Sequence, residues 1–538
     1  QVFLCTLPPS EQASELSVRA RACACVVVLY RSAMLATWVV AVLLPLALAA
    51  GDAVTPAVLR EVDLTPSPAM FQQVHLALGD KSDEMRVTWV SPKSATVDEQ
   101  VSPAVKYGTV PHAYEKAVAA VSQTYTDGDW TGVLYTAVLK ELEPGTTYYY
   151  VVGFQSLNNW SGELRLRTLP PPASSVSLIA YGDTGMRSHA EDLVKKLRLV
   201  LPNTDLILHL GDFCYAPEGM SQKWNVEDSF YASLKQYSWD KWFNLFEPIS
   251  SSIPYMTIPG NHEQLPYDFQ LGPYAQRFQM PLPAASLSRP LDQRTFYSFN
   301  IPSAHIVGLN SELDYAEGSD QIQWLHEDLA AVDRQAYPWV IFMVHRPMYS
   351  SSVKRGSVLP LRKVLEPIMR QYQVDLVLTG HDHSYERTFP VFNGTVDRHI
   401  LHGEKSEYAG PADPVHIKVG TGGLEVDGRF HSLPDWTAFR SADHFGYLRV
   451  TLKTAELDSG AQEHRLITEF IPVTVHADID TMTIVKRTQG GGGGATGRPN
   501  WVPVLMFVAC CGVILFYLCK PKARYQYGNT PLPQYWKV

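Results

Sequence analysis

The sequence predicts a multidomain chain of mixed α+β and α/β class: an N-terminal β-sandwich, a second domain of alternating strands and helices, and a C-terminal transmembrane helix. Three observations predict it. Short apolar or alternating runs separated by turns fill residues 66–170, strand-like and amphipathic stretches alternate from Val176 onward, and Trp501 to Cys519 carries no charge. A chain of 538 residues exceeds one ordinary domain. The net charge of -9, with no basic stripe, argues against nucleic-acid binding.

Residues 1–33 show no clear pattern and read as a fragment or gene-model artefact. From Met34 an apolar core runs to Ala47-Leu48-Ala49, the small-residue ending of a signal peptide over 34–50, with Arg31 as the nearest positive charge. At the other end, residues 476–500 form a linker containing five consecutive glycines, Gly490 to Gly494, which cannot pack a core. The stretch 501–519 is long enough to cross a hydrocarbon core of about 30 Å at ~1.5 Å per residue. Lys520, Lys522 and Arg524 follow it as a cytoplasmic flank would, leaving 520–538 as the tail. The expectation is a type I single-pass membrane protein of the secretory pathway, its body extracellular or in the lumen of an acidic compartment. The sequons at Asn159 and Asn393 fit that placement as glycosylation sites. Of seven cysteines only Cys214 falls in the expected ectodomain, so no disulfide framework is available there, and Cys214 reads as a small buried apolar residue.

Within 66–170, Val74 to Leu78, Met85 to Val90, Ala104 to Gly108, Tyr135 to Leu139, Thr146 to Val152 and Gly162 to Thr168 are the expected strands. Their spacing suggests a sandwich. The run Leu142 to Tyr150 resembles the corner before the penultimate strand of a fibronectin type III domain. Leu169-Pro170-Pro171-Pro172 is a stiff connector, and a domain boundary is expected there. The second domain is expected over 173–475. Its strands are Val176 to Tyr181, Asp205 to Leu210, Ile253 to Ile258, His305 to Asn310, Trp339 to Val344 and Val374 to Leu378, with helices at 190–200, 321–334 and 361–372 between them. Three further strands, near 416–419, 446–452 and 466–475, would close the domain.

Five loops follow five of those strands: Gly182-Asp183-Thr184-Gly185, Gly211-Asp212-Phe213-Cys214-Tyr215, Gly260-Asn261-His262-Glu263, His345-Arg346-Pro347 and Gly380-His381-Asp382-His383. Two imidazoles at i and i+2 beyond one strand, a third beyond another, and carboxylate, amide and phenol partners upstream look like metal ligands at the carboxyl ends of an α/β sheet. Glycines in these loops would let the backbone come close to the metal.

This ordered set, with Tyr215 present, resembles the purple acid phosphatases of the binuclear metallophosphoesterase superfamily over about 66–475. The joined sequences His345-Arg346-Pro347-Met348-Tyr349 and His383-Ser384-Tyr385-Glu386-Arg387 resemble the animal-type iron/zinc forms. The resemblance implies that Asp183, Tyr215 and His383 hold a first metal, that Asp212 bridges, and that Asn261, His345 and His381 hold a second. The donor chemistry agrees: carboxylates and a phenolate suit Fe(III), while an amide and two imidazoles suit a divalent ion such as Fe(II), Zn(II) or Mn(II). It further implies acid hydrolysis of phosphate monoesters by a metal-bound hydroxide, with His262 contacting the phosphate or protonating the leaving group. Asn261, His262 and Arg346 are the expected substrate contacts, and Asp382 is expected to be a loop residue turned away from the metals. Plant members carry a histidine pair after the loop of His345; here that region reads Ser350 to Arg355, so substrate preference does not carry over. Lys354 and Arg355 read as a solvated surface pair. The alternatives are a phosphodiesterase or nucleotide pyrophosphatase on the same site, and a non-catalytic surface receptor.

Overall fold

The computed structural model describes residues 70–92, 101–125, 130–216, 228–263, 272–283, 290, 294–396, 406–474 and 479–488. The expected signal peptide, the glycine run, the membrane span and the tail lie outside the described residues. No helix among those described is long and apolar enough to cross a membrane.

The N-terminal part is a sandwich of two sheets. One runs in the order Gln72–Leu78, Met85–Pro92, Gly132–Leu139, Val121–Gln123; the other places Lys116–Ala119, Pro103–Gly108 and Thr147–Phe154 side by side, with Asn159–Trp160 and Leu164–Arg167 pairing to the last. Inward-facing aromatics fill the space between them, Trp89 stacking on Tyr135 at 5.4 Å. The expected corner is present: the Glu143 N–H donates to Tyr148 Oη at 2.9 Å. The strands at 116–119, 121–123 and 159–160 are too short to announce themselves in the sequence.

The second part has two seven-stranded sheets. The first runs Tyr255–Thr257, Leu206–His209, Val176–Tyr181, Gly446–Glu456, Gln462–Pro472, Asp480–Arg487, Glu407–Ala409. The second runs Tyr297–Ile301, Ala304–Leu309, Trp339–Val344, Leu376–Thr379, Val415–Val419, Tyr385–Thr388, Thr437–Ser441. The strands at 176, 206 and 255 are mutually parallel in the first, and those at 304, 339, 376 and 415 in the second. Their all-buried apolar sequences, such as Trp339–Val344, suit parallel strands covered on both faces. All five candidate loops therefore leave the carboxyl ends of parallel strands.

The structure goes beyond the sequence expectations in three places, and corrects one of them. The domain does not end at 475: Asp480–Arg487 pairs along Gln462–Pro472, and Asp480 takes a bidentate, buried ion pair from Arg387 of the other sheet at 2.7 and 2.8 Å. A 23-residue helix, Asp228–Ser250, was not anticipated; it packs against Gln72–Leu78 and against helix Ser188–Val200. The connector at 169–172 separates two domains that pack closely together, one apolar core running from the sandwich into the second domain. Polar groups on Gln72–Leu78 point into that seam: Gln73 Nε2 donates to Asp240 Oδ1 at 2.9 Å, and Arg277 Nη1 donates to Gln73 Oε1 at 2.7 Å.

Two buried histidines away from the loops carry a pH consequence. Burial lowers His416 to about 3 and His75 to about 4. A ring kept neutral in the folded state takes a proton only on unfolding, so its stabilising contribution is lost as pH falls from about 6.5 toward the folded value, at about 1.4 kcal/mol per pH unit. Buried carboxyls that are pushed up, Glu247 and Glu263 among them, act in the opposite direction. The variant difference isolates one ring: His416→Leu should gain Tm relative to wild type progressively from pH 6.5 to 4.5, and a pH-independent difference would contradict this.

Candidate metal centre

The loops are stitched to one another through the backbone. Asp183 N donates to Gly211 O at 3.1 Å, and Gly380 N donates to His345 O at 3.0 Å. Four of the seven expected ligands sit in the left-handed region: Asp183 at φ +63°, Asp212 at +56°, Tyr215 at +48° and His381 at +71°. Such backbone is uncommon outside glycine, and its concentration here marks a functional site. Gly260 is required sterically, since a Cβ there would overlap Asp212 Oδ1 and lie 2.8 Å from His345 Cε1.

The expected ligands converge on one point of the structure. Tyr215 Oη lies 3.0 Å from Asp183 Oδ1, 3.1 Å from His383 Nε2 and 3.2 Å from Asp212 Oδ2. His345 Nε2 lies 3.2 Å from Asn261 Oδ1, 3.2 Å from His381 Nδ1 and 3.3 Å from Asp212 Oδ2. Asp212 Oδ2 thus belongs to both groups, and Oδ1 of the same carboxylate accepts the His262 N–H at 2.9 Å. Among the described residues, Asp212, His345 and His381 form a buried trio with metal-ligand spacing.

The donor set fits a metal pair. Donors bound to one ion at about 2.0–2.2 Å stand roughly 3.0–3.5 Å apart, the spacing seen in both groups. The electrostatics also call for cations. His345 Nδ1 sits 2.7 Å from the Leu210 carbonyl and must carry a proton there, so Nε2 is the nitrogen turned to the oxygens of Asn261 and Asp212 and the one a metal would take in place of a proton. Burial opposes a charge on His345, yet Asp212 beside it overrides burial and pushes it up to about 10. Burial, then His345 and the guanidinium groups of Arg355 and Arg346, hold His381 well below its usual range and therefore neutral, as a ligand must be. Burial and the carboxylates of Asp183 and Asp212 push the Tyr215 phenol well up, so only a strongly charged cation would make it a phenolate.

Family models match three consecutive regions: the purple acid phosphatase N-terminal domain at 71–168, calcineurin-like phosphoesterase at 176–385, and the iron/zinc purple acid phosphatase-like protein C region at 413–457. Purple acid phosphatase 18 of Arabidopsis thaliana is 32% identical over 390 residues, covering 71% of this chain and 78% of its own. The chain belongs to the purple acid phosphatase family of phosphoric monoester hydrolases. Another Arabidopsis thaliana relative, named "Probable inactive purple acid phosphatase 1", is also 32% identical, over 70% of this chain, and here the chain spans 64% of the relative's length. The structure of a purple acid phosphatase from yellow lupin (Lupinus luteus) seeds superposes with a TM-score of 0.65 at 26% identity, covering 80% of this chain and 78% of that one.

Around this purple acid phosphatase site the remaining residues fall less evenly. His262 lies over Tyr215 with ring centroids 4.2 Å apart, Nε2 3.9 Å from Asp212 Oδ2, and its side chain 21% exposed. Arg346 is engaged by Glu312 in a two-point ion pair, both contacts 2.7 Å, which fixes its guanidinium beside the site. Lys354 and Arg355 are not a plain solvated pair: Arg355 donates to the His381 carbonyl, and Lys354 Nζ lies 2.7 Å from Glu425 Oε1. Asp382 does turn from the ligands, but into a buried polar cluster, accepting from Ser350 and lying 3.7 Å from Lys418 Nζ. Of the sequons, Asn393 is exposed at a hairpin turn and Asn159 is half-buried.

Glu263 stood in a named loop without a role. Its carboxylate accepts Asp212 N at 2.8 Å, Phe213 N at 2.9 Å and Gly260 N at 2.7 Å, locking two ligand loops together. Burial, then the neighbouring Asp212, push it up to about 7. Cys214 is buried, as expected, and burial raises its thiol.

Proposed function

We propose that the chain hydrolyses phosphate monoesters at acid pH on a binuclear centre of Fe(III) and a divalent metal, Fe(II), Zn(II) or Mn(II). The observation that carries the reading is Asp212 Oδ2, placed between a tyrosine-bearing donor group and an amide–imidazole donor group. The first group, Asp183, Tyr215 and His383 with Asp212, would hold the ferric ion; Asn261, His345 and His381 with Asp212 would hold the divalent one. The pair would supply Lewis acidity toward the phosphoryl oxygens and an activated water at a pH where free water is a poor nucleophile.

The chain's own residues do the rest. Asn261, through Oδ1, orients toward the divalent position, and Glu263 fixes its loop. His262, partly exposed beside Asp212, is placed to hydrogen-bond the phosphate or to protonate the leaving alcohol. Arg346, held by Glu312, adds positive charge at the rim. The uncharged stretch 501–519 and its basic flank support anchoring as a type I protein with the site outside the cytoplasm, and Asn393 is an accessible glycosylation acceptor.

Purified protein should hydrolyse an aromatic phosphate monoester with an optimum below neutral pH, and much faster than a diester or a nucleotide polyphosphate. Asn261→Ala should reduce the monoester rate by roughly a hundredfold or more. A dominant diester or pyrophosphate activity would favour the alternative enzyme class. No activity in metal-loaded protein would favour a surface receptor, and full activity in Asn261→Ala would count against the site.

A further inference from the structure

The two metal-side histidines with assignable second nitrogens are held in different ways. His345 Nδ1 faces the backbone carbonyl of Leu210, which is buried and chemically fixed. His383 presents Nε2 to Tyr215 Oη at 3.1 Å and to Asp183 Oδ1 at 3.4 Å, while its Nδ1 faces Glu425 Oε1 at 3.2 Å. Glu425 is no chance neighbour. The backbone on either side of it grips the same donor group: Leu424 N donates to Asp183 O at 3.1 Å, and Asp427 N donates to His383 O at 2.9 Å.

The other side of Glu425 is also occupied. Its Oε1 lies 2.7 Å from Lys354 Nζ, and Lys354 stands in a rim loop pinned by the Val353 N to Arg429 O bond of 3.0 Å and by the bridge between Ser352 and Phe430. Arg355, the next residue, donates to the His381 carbonyl. Consecutive side chains of this loop thus reach both histidines of the Gly380–His383 turn, one directly and one through Glu425.

We infer that Glu425 is a positioning residue: held by Lys354, its carboxylate accepts the Nδ1 proton of His383 and so fixes Nε2 as the nitrogen offered beside Tyr215 and Asp183. The inference rests on the proposed metal centre and adds a control over it. Carboxylates hydrogen-bonded to a ligand imidazole set its tautomer and raise its donor strength, and their loss costs about 10–100-fold in metal affinity. A stronger imidazole donor makes the ferric ion less electron-poor, which raises the energy of phenolate-to-iron charge transfer. Glu425 is 41% exposed, so this influence enters the site from a solvent-facing rim, unlike the fixed carbonyl behind His345.

The test loads the full chain with ferric iron and zinc, and compares wild type with Glu425→Ala and Glu425→Gln. Glu425→Ala should release iron to a chelator about 10–100 times faster and move the visible band to longer wavelength. Glu425→Gln, which retains an acceptor without the charge, should fall between and also decides the matter if the alanine variant does not fold. Wild type with a band, and both variants matching it in band position and release rate, would overturn the inference alone. Wild type that takes up no iron would overturn the proposed centre and this inference together.

Discussion

Asp212→Asn should lower phosphatase turnover by about three orders of magnitude and weaken both metal positions at once. Asp212 Oδ2 is the one atom shared by the two donor groups, 3.2 Å from Tyr215 Oη and 3.3 Å from His345 Nε2. An amide at this position can still accept the His262 N–H that Asp212 Oδ1 now takes, so the loop keeps its geometry. It cannot supply the negative charge that two cations would share. The same charge sustains the proton on His345, so in the metal-free protein the substitution should let that ring titrate at lower pH than it does beside Asp212. The fold should tolerate this, because His345 can shed its proton rather than remain a buried uncompensated charge. Metal analysis and turnover on the same sample check the expectation; two tightly held ions with turnover within tenfold of wild type would contradict it.

Tyr215→Phe should remove the visible band entirely while leaving the chain folded. The phenol oxygen is 3.0–3.2 Å from Asp183, His383 and Asp212. Its ring packing against His262 would survive the loss of one oxygen. Burial and two carboxylates hold the phenol protonated, so a coloured phenolate reports directly on a highly charged ion in that group. The divalent position has no tyrosine donor and should still take up zinc. A variant with an unchanged band would assign the colour to some other residue and remove Tyr215 from the first group.

The ligand loops were legible because each begins where a continuous apolar strand stops, and because glycine, aspartate and histidine there have little else to do. Asp212 as a bridge came from family resemblance; its shared oxygen is visible only once the strands at 206 and 339 are placed in two different sheets. Glu263 and Glu425 act on backbone amides and on a ring nitrogen, contacts that leave no periodicity or spacing in the sequence. Helix Asp228–Ser250 is harder to read for another reason: Trp239, Trp242, Phe243 and Phe246 do recur at i, i+3, i+4 and i+7, but the polar Lys235, Gln236, Ser238 and Asp240 are buried among them and blur the polar face. Met482 and Ile484 alternate with polar residues as a strand should, but they lie so close to the glycine run that its linker composition masks them. The merging of the two domains also buries the polar Gln72, Gln73 and His75, which is explained only once Asn244, Asp240 and Arg277 are seen opposite them.

The most direct measurement is the metal content of the purified, catalytically competent chain together with its visible spectrum. Two ions per chain, one of them iron, with a band that disappears on reduction or in Tyr215→Phe, is the predicted result. A colourless protein that hydrolyses phosphate monoesters with one ion or none would contradict the two-group reading of Asp212.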